Sequence, residues 1–369
     1  MPNTLLTPQI IAREALMQLR NNCVMARLVH RNYSNEFVGA KGDTISVRKP
    51  ATFRAEEFTG KINVQDAKEE KISVKMDHHL DTSFAVTSKD MTLTIADFSQ
   101  QFLIPAMQSF ANTIDSSLLG LCKDIPYFAG KGGTLPTKAD TIIDAGKVLN
   151  QNKAPMGDRH LVLDPETEAA FMKIDAFHSA DKVGDNGTAM REASLGRKFG
   201  FDTYMDQNVP TLAGGALTGT AKPSGTFEPG VSTITLTASS LTGSVKAGDA
   251  LKIDGEAYAI TADASAGSNN ITVNITPALR KKITASSKVE YVAGKGIQNL
   301  AFHRNALALV TRPLALPKGA VNAAIVNYDG FGIRVVYGYD MTTKTDVVSL
   351  DLLYGVKTLN PDLAVRVLA

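Results

Sequence analysis

The chain has 369 residues, 44% of them apolar and 21% charged, with 39 Lys+Arg against 37 Asp+Glu, two cysteines and no tryptophan. That much apolar content at near-zero net charge excludes a disordered or polyelectrolyte chain, and the missing basic excess argues against a dedicated nucleic-acid binder. Charge balances locally as well, with no charge-segregated arm or tail. The length predicts two or three domains, or one domain with a large insertion. Two cysteines, Cys23 and Cys122, supply no disulfide framework and fit a reducing assembly site. No charged-then-apolar leader opens the chain and no run approaches ~18 apolar residues, so a soluble protein without an export signal is expected.

Residues 7–20 read as a helix, with Thr7 as N-cap, Pro8 at the first helical position and an apolar face of Ala12, Leu16, Leu19 and Cys23. Arg13, Arg20 and Arg27 fall seven apart, so they share a face if the helix continues past Asn21-Asn22. Residues 41–76 read as two strands, around Ile45–Val47 and Ile72–Met76, joined by a long polar excursion. Such an arm carries too little apolar content for a core, and an isolated hairpin is marginal in water. A neighbouring subunit is the expected support.

Residues 94–123 read as a long helix opened by Thr94 and Asp97, with Phe98, Phe102, Ala106, Phe110, Ile114, Leu118 and Cys122 stepping by four. Each step overshoots a full turn, so the stripe drifts ~40° per step. Pro105 should kink the helix. From 138 to 210 helix and strand alternate: a helix over Ile142–Leu149, a buried strand at HLVLD (160–164), and a helix opened by Asp164-Pro165-Glu166. A loop follows over 175–193, and GFDTYMDQNVP returns as a strand.

Composition shifts near 211. Between 211 and 296, 32 of 86 residues are Gly, Ser or Thr, and the only aromatics are Phe227, Tyr258 and Tyr291. Short alternating runs, with Asp254-Gly255 as a two-residue turn signal between two of them, predict a small all-β barrel or sandwich inserted into the helix–strand pattern. Strands are predicted thereafter near 300–311, 323–327, 331–338, 346–354 and 363–368.

No catalytic constellation stands out. Gly130-Lys131-Gly132-Gly133 lacks P-loop spacing, and Gly330-x-Gly332 lacks the third glycine of a dinucleotide fingerprint. His78 and His79, adjacent in a strand, point to opposite faces and cannot chelate one metal. Asp181, Asp185 and Asn186 miss the calcium-loop pattern at Val183. Neither an enzyme nor a bound cofactor or metal is expected.

Several stretches together carry a resemblance. LGRKFGFDTYMDQNVP (195–210), NLAFHRNALALVTRPLALP (299–317), VVYGYD (335–340) and LLYGVKTLNPDLAVRV (352–367) are similar, in order and spacing, to strands of the tailed-bacteriophage major capsid proteins of the Hong Kong ninety-seven fold. The 211–296 segment resembles the β-barrel insertion of the short-tailed-phage coat type. The resemblance implies an α+β fold with an N-terminal arm (1–40), an extended loop (41–76), and a peripheral domain (77–137) with a spine helix over 94–123. It places the axial domain at 138–210, the barrel at 211–296, and the axial remainder with returning peripheral strands at 297–369. It implies a non-enzymatic, icosahedral shell of hexamers and pentamers, built as a procapsid on a scaffolding protein. The resemblance further implies a portal at one vertex, non-specific packaging of double-stranded DNA and a possible decoration protein. The implied location is the virion, with assembly expected in a bacterial cytoplasm and no membrane involved. Assembly contacts are expected at Arg13, Arg20, Arg48, Arg54, Glu56 and Glu57. Two alternatives are an encapsulin-like nanocompartment shell and a receptor-binding insertion, the latter weakened by the shortage of stacking rings.

Overall fold

The computed structural model describes residues 7–31, 44–48, 71–86, 98–178, 195–317, 322–328, 331–340 and 345–369. The fold is α+β, and the chain divides into two compact units. One comprises Met1–Asn22, His30–Phe110 and Ala308–Leu359; the other comprises Cys23–Val29, Ala111–Leu307 and Asn360–Ala369.

In the first unit the opening helix runs Pro8–Asn22 and buries Ile11, Ala12, Ala15, Leu16 and Leu19. The Thr7 carbonyl accepts from the amides of Ile10 (3.0 Å) and Ile11 (3.2 Å), so the helix starts where Pro8 predicts. It does not continue to Arg27. Asn22 Nδ2 donates to the Gln18 carbonyl at 2.8 Å, and the next amides, Val24 and Met25, donate instead to the Asp115 carboxylate at 2.9 and 3.1 Å. A separate short helix, Met25–Leu28, carries Arg27, so the arginine stripe reduces to Arg13 and Arg20.

An antiparallel sheet completes this unit, in the order Leu307–Arg312, Thr345–Thr358, Phe331–Asp340, Asn322–Tyr328. His78–Val86 pairs antiparallel with Asp346–Tyr354 of the long strand, with Ser83 opposite Ser349. Phe84 stacks on Phe102 with centroids 5.5 Å apart, and Phe98 leans on Phe102 at 5.2 Å. The legs of the polar excursion pair as Thr44–Arg48 with Lys71–Lys75, Val47 opposite Ile72. Gly355 lies against the backbone of Lys75 and Met76, so close that a Cβ there would meet the Lys75 carbonyl oxygen. Residues 49–70, with Arg54, Glu56 and Glu57, lie outside the described residues, as do Thr94, Asp97 and the 181–186 loop.

The long helix is not uniform. Ser99–Leu103 is π-helical, Ile104–Gly120 is α-helical and Leu121–Asp124 is a 3₁₀ turn. The Ile104 amide reaches back to the Ser99 carbonyl. In a regular α-helix the Pro105 ring would collide with the carbonyl four residues earlier; the wider π turn just before it relieves that collision.

The second unit is built on a mixed sheet ordered Phe128–Gly130, Ala364–Leu368, Gly296–His303, Arg159–Leu163, Phe201–Met205, Arg197–Lys198. The first pair and the Arg159–Leu163/Phe201–Met205 pair are parallel. On one face Leu161, Leu163, Phe201, Ala301, Val365 and Val367 join Ala145, Leu149 and Phe171 in a core. The last three come from the helices Asp140–Gln151 and Pro165–Met172. Asp164 caps the second of these through the Glu166 amide at 2.9 Å. Asn299 is buried and fully used: its Oδ1 accepts from the Asp164 amide (2.7 Å), and its Nδ2 donates to Thr167 Oγ1 and the Val367 carbonyl (both 3.1 Å). The single strand expected at 300–311 is broken, because Arg304–Ala306 forms a 3₁₀ turn with His303 Nδ1 accepting from the Asn305 amide at 3.2 Å.

The inserted β segment has its own core of Ile234, Leu236, Ile253, Ile260, Ile271, Val273 and Ile275. A six-stranded sheet runs Lys222–Pro223, Thr233–Thr237, Asn270–Thr276, Glu256–Ile260, Ala250–Ile253, Val289–Val292. A three-stranded sheet runs Ala264–Ser265, Thr242–Val245, Ala216–Thr218. These pairings make two sheets about one core, within the expected barrel-or-sandwich class. The end strand Lys222–Pro223 is two residues long, its pairing is carried one step further by the Ser224 amide on the Thr235 carbonyl at 2.9 Å, and Gly243 holds a positive φ within the middle strand of the smaller sheet. Asp254-Gly255 forms the expected two-residue turn at φ 48° and 88°, with Ile253 opposite Glu256. On the outer side Thr233 faces Asn274 and Thr235 faces Thr272, and both pairs bond side chain to side chain, at 2.8 and 3.1 Å.

Candidate functional site

Residues expected to carry contacts fall on the opening helix and the polar excursion. Arg13 and Arg20 are exposed on one helix face, and Met17, 54% exposed, lies between them at the spacing that keeps all three aligned. The stripe is therefore basic–apolar–basic, and Met17 is the member a charge count overlooks. Arg48 is placed only by its backbone, opposite Lys71.

The histidine pair behaves as adjacent strand residues do. His78 stacks on Tyr354 with centroids 4.9 Å apart, and His79 Nε2 lies 3.2 Å from Asp351 Oδ1, which also belongs to a carboxylate held by Arg334. Among the described residues no group of three or more His, Cys, Asp or Glu side chains is placed to hold a metal ion, and no helix is long and apolar enough to cross a membrane. Cys23 and Cys122 are buried and form no disulfide; burial pushes the Cys122 thiol up to about 11. The Gly130–Gly133 stretch is structural: a Cβ on Gly132 would meet the Lys295 carbonyl, and the Gly133 amide bonds the Ala369 carbonyl at 3.0 Å.

The strongest concentration of buried polar chemistry lies where the insertion leaves the mixed sheet. Arg366, on the closing strand, is fully buried. Its guanidinium sits 4.0 Å over the Phe128 ring and donates through Nη1 to the Gly248 carbonyl and, at 3.4 Å, to Gln298 Oε1. Burial lowers its pKa to about 10, so it remains a cation at neutral pH. Asp249, also buried, accepts from the amides of Lys246 (2.7 Å), Gly215 (3.0 Å) and Gly294 (2.8 Å) and from the Tyr291 hydroxyl (2.7 Å). Burial first, then that hydrogen bond to a carboxylate, drives the Tyr291 hydroxyl far above its ordinary pKa, so it stays a donor.

A second, outer contact joins the same parts. Arg280 pairs with Asp362, which also accepts from the Tyr127 hydroxyl at 2.9 Å, and Glu256 lies 3.8 Å from Arg280. Elsewhere in this unit, burial lifts the Asp115 carboxyl to about 7; nearby Asp206 adds to the shift, and the backbone amides of Val24 and Met25 oppose it. Asp115, Asp249 and Arg280 lie outside every sequence motif, and Asp362 and Arg366 lie within the 352–367 stretch without standing out as a site there. The one local signal was an arginine inside AVRVL, where both strand faces are otherwise apolar.

Among the described residues the site is built of an exposed helix stripe and buried junctions, and the fold can be compared with solved structures. A chain from Mycobacterium phage Che8 aligns over 93% of this chain and 90% of its own length, at 15% identity and a TM-score of 0.54. The fold is shared with that phage protein. Weaker likeness, with TM-scores of 0.49 and 0.46, extends to chains from the capsid of Cyanophage P-SCSP1u and the mature capsid of bacteriophage PhiM1. They share 11% and 13% identity and cover 93% and 88% of this chain, and 87% and 81% of their own. No protein-family profile and no curated protein sequence matches.

Proposed function

We propose that this chain is the major subunit of a self-assembling icosahedral shell that encloses the double-stranded DNA of a tailed phage. The observation that carries the reading is the fold, aligned over 93% of this chain with that of a phage protein. The four sequence stretches that resemble coat-protein strands support it independently.

In this reading residues 41–76 form an extended loop whose paired base, Thr44–Arg48 with Lys71–Lys75, anchors it to its own subunit while the remainder lies on a neighbour. The helix over 94–123 is the spine, the mixed sheet with 138–210 and most of 297–369 is the axial domain, and 211–296 is an insertion on the outer face. Arg13 and Arg20, with Arg48, Arg54, Glu56 and Glu57, supply contacts between subunits or to a scaffold. A portal and a decoration protein are further partners of such a shell. Near-neutral charge suits this role: a subunit repeated many times multiplies any net charge, and a strongly basic lining would grip packaged phosphate.

Electron microscopy of the purified, concentrated chain tests the proposal. Closed shells of uniform diameter are expected, and only monomers or irregular aggregates across scaffold-free and scaffold-supplemented conditions would reject it. Deleting residues 48–68 should leave a folded monomer that no longer closes shells; normal particles from that variant would show that the excursion carries no subunit contact.

A further inference from the structure

The insertion enters and leaves the mixed sheet through glycines that are crowded rather than loose. The chain enters at Gly214-Gly215 and leaves at Gly294–Gly296. A Cβ on Gly215 would meet the Ser244 carbonyl, Asp249 Oδ2 and the Tyr291 hydroxyl at 2.5–2.7 Å, and one on Gly294 would collide with the Gly248 carbonyl. Both crossings therefore press against the same Gly248-Asp249 corner, and Asp249 accepts an amide from each. Gln298, buried on the next strand, ties the exit again by donating to the Gly294 and Gly296 carbonyls at 3.1 and 2.9 Å. Arg366 closes the network from the sheet side: it bonds the Gly248 carbonyl, touches Gln298, and is itself seated on Phe128.

We propose that this junction fixes the insertion and the mixed sheet as one rigid body, with Arg366 as the positioning residue that sets their mutual angle. The guanidinium is suited to the task because it is planar, keeps its charge, and stacks and donates at once. Its position leaves little freedom, since a tilt of the insertion would draw the Gly248 carbonyl away from a buried cation. The outer Arg280–Asp362 pair bears on the same angle from a second point, so rotation about the root is opposed at two places. The inference concerns this chain's own mechanics and stands whether or not it forms a shell.

Spin labels test it in the full chain. One label is placed at Ser268→Cys on an exposed turn of the insertion and the other at Asn150→Cys on the exposed face of the sheet-covering helix. The labelled chain is diluted into unlabelled chain so that only intramolecular pairs are read. The expected wild-type result is one narrow distance distribution. Arg366→Met should broaden it at least twofold, and Arg366→Lys, which can still donate to Gly248, should fall between. If Arg366→Met does not fold, Asp249→Asn carries the test, because it leaves Arg366 on Phe128 and should broaden the distribution as well. Amide exchange should rise about tenfold over 212–216 and 293–297, with 270–276 and 300–303 unchanged. A broad distribution in the wild-type background, or a width that neither variant changes, overturns the proposal. Exchange that rises equally everywhere also overturns it, because it would make Arg366 a general support of the fold.

Discussion

Two arginines join the inserted sandwich to the mixed sheet, and they do so by opposite physics. Arg366 has no exposed surface and finds its partners among a backbone carbonyl, an amide oxygen and an aromatic face. Arg280 keeps about a third of its side chain in water and pairs with two carboxylates. A buried cation stripped of its partners keeps its full desolvation penalty, whereas an exposed pair that opens is simply rehydrated. The surface pair is the more conspicuous salt bridge, and the buried contact without a carboxylate is expected to matter more.

The largest effect should come from Arg366→Ala, which empties a packed site and orphans the Gly248 carbonyl: a loss of about 3–5 kcal/mol in denaturant unfolding, nearly the same at low and high salt. Asp249→Asn should follow at about 2–3 kcal/mol, since an amide cannot accept four donors and brings two of its own. A salt-dependent loss at either position would erase the contrast.

Asp115 sharpens the contrast with pH instead of mutation. Its folded carboxyl titrates near 7 against an ordinary value of 3.8, so the folded chain binds the proton more tightly than the unfolded one. That contribution to stability is fully present below about pH 4 and fades as pH rises through 7. Asp115→Asn should flatten the stability profile over that window, and an unchanged slope would place the titration elsewhere. The smallest effect is expected from Asp362→Asn, at most ~1 kcal/mol and abolished by about 0.5 M salt, where screening is short-ranged.

What could be seen in the sequence was local. The Asp164-Pro165-Glu166 cap, the Asp254-Gly255 turn, the apolar face of the first helix and the alternating strands of the insertion depend on neighbours within a few residues, and each formed as expected. The departures have distant causes as well as near ones. The first helix ends before Arg27 because a carboxylate some 90 residues away takes its next amides. The strand expected over 300–311 breaks at Arg304–Ala306, where His303 takes the Asn305 amide. Of the candidate contacts, Arg13 and Arg20 were recognisable as a charged stripe, but Met17 gains meaning only once its exposure is known. The Arg366 junction joins strands 118 residues apart, and no spacing rule reaches that far.

The π-helical turn at Ser99–Leu103 has a consequence for the aromatic stripe. In a regular helix each step of four residues overshoots a revolution and the stripe wanders. A wider turn falls short instead, so one such turn winds the stripe back between Phe98 and Phe102, which both meet Phe84. The turn acts as a phase correction written into a single helix. Removing one residue between 99 and 103 would restore even pitch and leave Phe98 and Phe110 in nearly the same relative phase, because the wide turn already absorbs about one extra residue. A one-residue deletion there should therefore keep the aromatic stripe in phase and lose instead the relief that the wide turn gives the Pro105 ring.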